Sequence, residues 1–266
     1  MEVRNMIKTN YHTHTIRCGH ASGEDEEFIL EAIALGFTEL GFTDHIMLPD
    51  HQQIGIRGDY SLLDDYIDSL NALKEKYKDK IKIYIGFEAE AMKHYFPYYK
   101  QLLASKRIEY LILGNHCELV HDQLKWFFSN VTSKKDIKRY TKSLVKGIKT
   151  GLFKFVAHPD YYMGSYLKWD KTAIKCAKKI CKAAKRKKVA LEYNFGSIRS
   201  GRKILGDEYR FSYPYDNFWK IAKKYKCKIV LGLDCHRPQD FTHPNNDLGY
   251  QKVKELDLQP LLKLDI

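Results

Sequence analysis

Histidine and acidic residues recur at short spacing in this sequence, and these residue types bind transition metals. Near the N-terminus, three histidines fall within nine residues: His12, His14 and His20. His12 and His14 are two positions apart, so on a β-strand their side chains point to the same face and can hold one metal ion. His20, beyond a short polar loop, can serve a second ion. Because a lone His-x-His pair more often reflects chance or core packing, the positions of the other candidates decide the interpretation.

Apolar runs alternate with amphipathic segments along the chain. The runs predict seven strands, at 8–14, 37–43, 81–87, 109–114, 153–157, 189–194 and 229–233. Apolar stripes at helical spacing predict helices at about 23–35, 59–78, 97–106, 134–150, 170–187 and 215–226, and a short helix near the C-terminus. The connections at 115–133 and 195–214 are predicted to be loops. Each crossover helix returns the chain to the same end of a sheet, so the alternation predicts a parallel βα barrel in a single domain, residues 1–266.

The metal-ligand candidates fall where such a barrel keeps its functional residues, at the C-terminal ends of the strands. The predicted strands end at His12 and His14, Asp44-His45, Glu88, Asn115-His116, His158, Asn194, and Asp234 with His236. Imidazoles and carboxylates in one cavity form the ligand set of zinc, iron or manganese. Since a catalytic ion takes about three protein ligands, nine candidates indicate two or three ions, with Glu88 as the central bridging carboxylate. The remaining histidines, His51, His94, His121 and His243, are predicted to lie on the surface or in loops.

The composition is that of a globular protein, with 44% hydrophobic and 29% charged residues and a formal charge of +12. A nucleic-acid partner is one interpretation of this charge. The favoured interpretation is a solvated lysine-rich surface, because the ten basic residues within 168–188 accompany an apolar stripe at helical spacing. The charge would also attract a phosphorylated substrate over a long range.

The six cysteines form no Cys-x-x-Cys motif, which favours free thiols in a reducing cytoplasm. Cys18, Cys117 and Cys235 adjoin ligand candidates and are predicted to be small wall residues. The N-terminal residues 1–4 lack a secretory signal pattern, and the sequence has no apolar run of the ~20 residues that span a bilayer. We therefore expect a cytoplasmic protein without a membrane partner.

The sequence resembles the PHP (polymerase and histidinol phosphatase) family. The resemblance extends to about residue 240 and is carried by His12-x-His14 with His20, Asp44-His45, Glu88 after a strand, Asn115-His116, His158-Pro159, and Leu231-Gly-Leu-Asp234-Cys-His236. It implies a distorted, TIM-like (β/α)7 barrel with a trinuclear centre. The implied ligand sets are His12, His14, Glu88 and Asp234 for one metal, Glu88, His116 and His158 for a second, and His20, His45 and His236 for a third.

The resemblance also implies a metal-dependent phosphomonoesterase. Leu191-Glu-Tyr-Asn194, Ser197-Ile-Arg199 and Tyr213-Pro214 are similar to segments of the histidinol-phosphatase branch, so the expected substrate is L-histidinol phosphate. Tyr193, Phe195 and the long loop 196–212 depart from that branch. Other phosphate esters therefore stay open as substrates, namely nucleotides, nucleic-acid ends and sugar phosphates. A non-catalytic metal-binding module is the alternative from another class, and the complete ligand set argues against it.

Several residues are expected to serve catalysis around the metals. Glu88 and Asp234 are predicted to act at the catalytic centre, and Asp160 to protonate the leaving alkoxide. Arg199, with Arg17 or Arg202, is predicted to clamp the phosphate through bidentate bonds, although a surface role fits each arginine equally well. Asp44 is predicted to orient a ligating histidine, and Asn194 to face the substrate.

Overall fold

Seven parallel strands form the central sheet of the computed structural model, which describes residues 6–127 and 130–266. In spatial order they are β1 (Thr9–Asn10), β2 (Glu39–His45), β3 (Lys82–Ala89), β4 (Tyr110–Leu113), β7 (Phe155–Val156), β8 (Ala190–Asn194) and β11 (Ile229–Gly232). The four other strands form two separate hairpins: β5 (Cys117–Val120) with β6 (Gln123–Trp126), and β9 (Lys203–Leu205) with β10 (Glu208–Arg210). The N-terminal residues 1–4, considered above for a secretory signal, lie outside the described residues.

The first and last strands of the sheet meet just beyond their ends. The backbone N–H of His14 donates to the carbonyl of Cys235 at 2.8 Å, and the N–H of Cys235 donates to the carbonyl of His12 at 3.2 Å. This parallel bridge brings the two edges of the sheet together into a nearly closed barrel. The predicted seven-stranded βα barrel is thus confirmed.

Helices connect the strands on the outside of the barrel. They are α1 (Asp25–Ala34), α2 (Leu63–Lys76), α3 (Phe96–Ala104), α4 (Lys134–Thr150), α5 (Lys171–Lys187), the short α6 (Gly196–Arg199), α7 (Asp216–Lys224) and α8 (Asn246–Glu255). The caps explain the starts of the two longest helices: Ser133 accepts from the N–H of Asp136, and Asp170 accepts from those of Thr172 and Ala173. None of the helices in the described part of the chain combines the length and apolarity needed to span a bilayer.

The barrel interior changes character along its axis. Apolar and aromatic side chains, including Tyr84, Tyr110 and Phe155, fill the base. Because side chains alternate along a strand, Glu88 faces the same side of β3 as Tyr84, four residues earlier. The C-terminal segment from Leu261 to Ile266 packs against this base, so the chain forms one domain that presents its polar residues at the opposite end.

Two segments predicted to be loops contain hairpins. In β5–β6, the turn residues His121 and Asp122 both have positive φ, at 49° and 59°, a conformation for which Asn-Gly is the usual sequence signal. That signal is missing here, so the hairpin could not be predicted. In β9–β10, Gly206-Asp207 forms the two-residue turn, with Gly206 at φ 64°. A glycine at the first turn position is a recognised hairpin signal, and it was overlooked.

Candidate metal centre

The nine predicted ligands converge at the C-terminal end of the barrel. Eight of them line a cavity of about 1080 Å³: His14, His20, His45, Glu88, His116, His158, Asp234 and His236. The ninth, His12, is fully buried, and its Nε2 lies 3.1 Å from Nε2 of His14. The strand-end rule therefore placed every candidate at the same site.

Four donor atoms form a compact first group. Nε2 of His12 lies 3.5 Å from Oε2 of Glu88 and 3.4 Å from Oδ1 of Asp234. Nε2 of His14 lies 3.6 Å and 3.3 Å from the same two oxygens. A tetrahedral ion with ligands at about 2.1 Å would hold its donor atoms about 3.4 Å apart. The spacing of this group matches that value.

The other oxygen of Glu88 belongs to a second group. Nε2 of His158 lies 3.0 Å and Nε2 of His116 lies 3.4 Å from Oε1 of Glu88. The two imidazole nitrogens are 3.2 Å apart. Glu88 thus presents one oxygen to each group, which is the geometry of a bridging carboxylate.

The third predicted set, His20, His45 and His236, lies on the open side of the cavity. Nε2 of His20 and Nε2 of His236 are 3.0 Å apart. The rings of His20 and His45 are 5.4 Å apart between centroids, and Nδ1 of His45 lies 3.0 Å from Oε2 of Glu88. This set is therefore less compact than the other two and is joined to them through Glu88.

The donor set fits divalent transition metals. The buried Oδ1 of Asp234 has no hydrogen-bond partner among the described residues, although it faces two imidazole nitrogens. A buried polar atom without a partner is costly unless something else binds it. An ion held by His12, His14, Glu88 and Asp234 would satisfy it.

Hydrogen bonds at the far ring nitrogens orient several of these imidazoles. Nδ1 of His12 donates to Glu192 at 2.8 Å and Nδ1 of His116 donates to Glu90 at 3.1 Å. Nδ1 of His236 donates to the carbonyl of Asp234 at 3.1 Å. A proton held on Nδ1 leaves the Nε2 lone pair free for a metal.

Glu192 on β8 connects both compact groups. Its Oε1 accepts from His12, and its Oε2 accepts from the backbone N–H of His158 at 3.1 Å and from Nδ2 of Asn194 at 2.7 Å. Gly232 on the neighbouring strand makes room for it, because a Cβ at that position would overlap the Glu192 carboxylate. Glu192 had no predicted role, although it lies two residues before Asn194 on the same inward face.

Glu90 plays the corresponding part behind the second group. It accepts from the N–H of His116 at 2.6 Å and from Nη2 of the buried Arg57 at 3.2 Å. Arg57 is anchored in turn to the carbonyl of Ile46 at 2.7 Å. Glu90 and Arg57 were also missed, and the signal for Glu90 was its position two residues beyond Glu88 on the same face.

The electrostatics of the site favour ionised carboxylates and neutral imidazoles at His45 and His236, whereas at His12 and His116 the neighbouring carboxylates outweigh burial and raise the imidazole pKa. Burial opposes the charge of Glu88 and Asp234, but the surrounding imidazoles outweigh it and hold both carboxyl pKa values well below the ordinary range. Burial lowers the pKa of His45 well below its usual value, and burial together with His14 lowers that of His236 to about 4. Ionised carboxylates and neutral imidazoles are the forms that bind metals.

Three strand ends adopt left-handed backbone conformations. Asn115, Asp234 and His158 have φ values of 53°, 53° and 30°. Such conformations cost non-glycine residues roughly 1–3 kcal/mol each and cluster at functional sites. Here they turn the chain sharply where it delivers His116, His158 and Asp234 to the cavity.

The position of Asp160 does not support the predicted acid role. Its Oδ2 accepts from the N–H of Tyr215 at 2.6 Å and from Nε1 of Trp219 at 3.0 Å. Burial raises the pKa of this carboxyl to about 6. Asp160 is not among the described residues that line the cavity, so it anchors the start of α7.

The three predicted arginines lie in different environments. Arg17 forms salt bridges with Asp25 at 2.9 Å and with Asp65 at 2.6 Å. The guanidinium of Arg202 lies over the ring of Phe211, 5.2 Å from its centroid. Neither arginine is among the described residues that line the cavity. Arg199 does line it, but its guanidinium donates to the carbonyls of Leu233 and Asp234. The geometry therefore argues against a phosphate clamp at Arg17 or Arg202 and makes Arg199 a brace for the Asp234 backbone.

Two further candidate residues lie close to ligands. Asn194 was predicted to face the substrate, but it is not among the described residues that line the cavity. Its Nδ2 donates to Oδ2 of Asp234 at 3.2 Å, so it orients that carboxylate. Asp44 accepts from the N–H and the hydroxyl of Thr15 at 2.5 Å and 2.6 Å, and its Oδ1 lies 3.8 Å from Nδ1 of His14. The distance to His14 is too long for a hydrogen bond, and Nδ1 of His14 has no hydrogen-bond partner among the described residues, so the orienting role of Asp44 stays a prediction.

The cavity wall includes residues that the sequence analysis did not single out. Trp126, Tyr161 and Tyr213 form an aromatic side next to His116 and His158. Arg237 and His243 also line the cavity, and His243 lies in a loop, as predicted. Trp126 comes from the unpredicted hairpin β5–β6.

Imidazoles and carboxylates at the strand ends of a parallel βα barrel are typical of metal-dependent hydrolases. Within that class, the sequence model of the PHP domain matches residues 10–195, and the chain belongs to the PHP domain family. The family assignment made from the motifs is confirmed.

Two relatives of this chain are named as histidinol-phosphatases. The chain is 25% identical over 236 residues to the probable histidinol-phosphatase of Deinococcus radiodurans, covering 85% of each chain. It is 28% identical over 250 residues to the histidinol-phosphatase of Lactococcus lactis, covering 87% of this chain and 85% of that protein. The chain is an enzyme of this kind, a PHP phosphoesterase related to histidinol-phosphatases.

A solved structure shares the fold. The histidinol phosphate phosphatase of Lactococcus lactis, complexed with zinc, L-histidinol and phosphate, superposes with a TM-score of 0.70 at 22% identity, covering 97% of this chain and 99% of that chain. The putative histidinol phosphatase of Listeria monocytogenes gives 0.69 at 19% identity, covering 90% and 99% of the two chains. These similarities extend over almost the whole barrel.

Proposed function

We propose that this protein hydrolyses L-histidinol phosphate to L-histidinol and phosphate, a step of histidine biosynthesis, using two or three divalent transition metals. The observation that carries the metal-dependent chemistry is the position of Glu88, whose two oxygens lie at 3.0–3.6 Å from imidazole nitrogens of two separate groups. The relatives named histidinol-phosphatase support the substrate.

Zinc, iron or manganese would be held by the three ligand sets described above, with Glu88 shared between the two compact ones. Bound ions of this kind lower the pKa of water from 15.7 to about 7 and neutralise charge on a phosphoryl group. The chain contributes the positions of the ligands. Glu192 and Glu90 hold His12 and His116 in place, and Arg199 fixes the backbone of Asp234.

Arg237 is the residue we assign to the phosphate. It is exposed, lines the cavity and directly follows His236. Among the described residues no carboxylate forms a salt bridge with it, whereas Arg199 is already occupied by two backbone carbonyls. A guanidinium that is paired with no carboxylate of the described residues is well suited to bidentate recognition of a phosphate.

The aromatic side of the cavity suits the imidazole end of the substrate. The rings of Tyr161 and Tyr213 are 5.5 Å apart, and Tyr213 lies 5.5 Å from His158. Trp126 lies 6.2 Å from His116. A flat heteroaromatic ring can stack against such a wall while the phosphate reaches the metals. The proposed partner is thus a small phosphate ester.

The proposed location is the cytoplasm. All six cysteines are free, and five of them are buried, an arrangement that a reducing compartment preserves.

The function is tested by metal loading and a substrate panel. Protein loaded with manganese, zinc or iron should release phosphate from histidinol phosphate with a higher kcat/KM than from a sugar phosphate, a nucleotide or a 5′-phosphorylated oligonucleotide, and should lose the activity with chelator. Faster reaction at oligonucleotide ends would favour a nucleic-acid substrate over histidinol phosphate. A protein that binds metal and cleaves none of the esters would be a binding module.

The assignment of Arg237 makes a separate prediction. A hydrogen bond to a charged group contributes about 1.5–3 kcal/mol, so Arg237→Ala should lower kcat/KM for histidinol phosphate by about 10- to 100-fold, mainly through KM, and leave the metal content unchanged. Arg202→Ala is the matched control and should be neutral, because Arg202 stacks on Phe211 outside the cavity lining. Steady-state kinetics would measure kcat and KM of both variants. If Arg202→Ala lowered kcat/KM and Arg237→Ala did not, the phosphate would be assigned to Arg202 and not to Arg237.

A further inference from the structure

A second cavity lies on the outside of the barrel, between α4 and α5. It has a volume of about 540 Å³ and shares no lining residue with the metal-centre cavity. We call it the α4–α5 groove. Its cationic lining comprises Lys138, Lys142, Lys146 and Lys149 from α4 and Lys179, Lys182 and Arg186 from α5. No carboxylate is among the described residues that line it.

The seven cations of the groove are not neutralised by the protein. All seven are exposed, and none forms a salt bridge with a carboxylate in residues 6–127 and 130–266. Elsewhere on the surface, lysines do pair with acids, as Lys76 does with Glu26 at 2.6 Å. The groove therefore concentrates positive charge in a concave surface. Such a surface attracts anions over a long range.

The floor of the groove limits what can lie in it. It is formed by Thr141, Val145, Cys176 and Ala183. Small side chains offer no aromatic anchor of the kind that dominates protein–protein hot spots, and no ring on which a nucleic-acid base could stack. The chemistry available is the binding of negative charge by lysine side chains, without readout of sequence.

The shape of the groove favours a thin, extended polyanion. Each helix has 17 residues and is therefore about 25 Å long. On α4 the cations recur every three or four residues, a rise of about 4.5–6 Å. The axes of packed helices lie about 8–10 Å apart, so the two rows of cations flank a narrow strip that suits the phosphates of one strand.

A membrane surface fits these observations less well. Binding to a bilayer uses apolar side chains that protrude into the lipid, and none of the large apolar residues found exposed in the described chain belongs to α4 or α5. The surface is also concave.

We infer that the α4–α5 groove binds single-stranded nucleic acid through its phosphates, independently of base sequence and of the metal centre. This site goes beyond the proposed phosphatase function. Seven of the basic residues behind the +12 formal charge of the chain lie in this groove. The proposal gives these seven a binding role in addition to keeping the surface solvated.

The test is binding of a fluorescently labelled oligothymidylate of about 16 nucleotides to the full chain, followed by anisotropy at several salt concentrations. The groove variant carries Lys142→Glu, Lys146→Glu and Lys182→Glu. The matched control carries Lys100→Glu, Lys106→Glu and Lys224→Glu, which change the net charge equally at exposed positions outside the groove. Hydrolysis of phosphate esters by both variants, and their circular dichroism, report whether each is folded.

We expect the groove variant to bind at least tenfold more weakly than the parent, and the control to bind within about threefold of it. The slope of log K against log salt should fall by about 2 in the groove variant, because each lost phosphate contact to a single strand removes about 0.7. Equal losses in both variants, or no binding by the parent at about 50 mM salt, would overturn the inference. So would tighter binding of a duplex of the same length, or of vesicles rich in phosphatidylserine.

Discussion

Replacing Glu88 with glutamine is expected to abolish the phosphatase activity, with a fall in kcat/KM of about 1000-fold or more. The side chain keeps its size, but one of its two anionic oxygens becomes an amide nitrogen. Oε2 faces His12, His14 and His45 and Oε1 faces His116 and His158, so either orientation of the amide places a donor group towards one set of ligands. A loss of this size corresponds to about 4 kcal/mol of transition-state stabilisation.

Metal content separates this role of Glu88 from a general structural one. Elemental analysis after purification in excess metal should show at least one equivalent fewer per chain in Glu88→Gln than in the parent, and added metal should not restore the activity. Glu75→Gln is the matched control, since it makes the same chemical change at an exposed residue of α2 paired only with Lys78 in the described structure. Retention of parental activity and metal content by Glu88→Gln would refute the bridging role.

The positions of the ligands were predictable from the sequence because barrel geometry links strand ends to the site. Glu88 follows an apolar run that could only be a buried strand, and the same holds for Asp234 after Ile229–Gly232. Parallel strands deliver their C-terminal residues to one mouth, so a one-dimensional pattern was sufficient to bring these side chains together.

The supporting residues were not predictable by the same rule. Glu192 lies within β8, two residues before the strand end, and its role depends on the rotation of His12 on a strand that is distant in sequence. Glu90 lies beyond the end of β3, and its partner Arg57 comes from a segment with no regular pattern. Alternation along a strand indicates that Glu192 and Glu90 face the same side as Asn194 and Glu88, but it does not show which histidine each carboxylate contacts.

The contacts of the three candidate arginines were likewise not predictable from the sequence. Arg17, Arg199 and Arg202 were predicted to clamp the phosphate because a guanidinium can form bidentate bonds with it. A guanidinium on a long flexible side chain can reach several partners. In the structure, Arg17 pairs with Asp25, Arg199 donates to backbone carbonyls, and Arg202 stacks on an aromatic ring. The Asp160 carboxylate accepts from Trp219 and is not among the described residues that line the cavity, so the structure gives no support to its predicted acid role.

The carboxylates behind the ligands give the last prediction, which uses Glu192→Gln and Glu90→Gln as a pair. Each change leaves the metal ligands intact but removes one acceptor from an orienting hydrogen bond, at His12 in the first case and at His116 in the second. Loss of such a bond typically costs 10- to 100-fold in metal affinity or activity. We expect a fall of that size in kcat/KM for each variant at limiting metal.

Rescue by metal distinguishes these residues from Glu88. Because His12 and His116 themselves remain, saturating metal should restore most of kcat in both variants and leave KM for histidinol phosphate near the parental value. Competition with a coloured chelator would measure the metal affinity directly. If the two groups bind separate ions, Glu90→Gln should weaken the binding step of the His116 group and Glu192→Gln mainly that of the His12 group, and the double variant should weaken both. Identical weakening of a single step by both changes would show that His12 and His116 serve the same ion, contrary to the arrangement of two groups joined by Glu88.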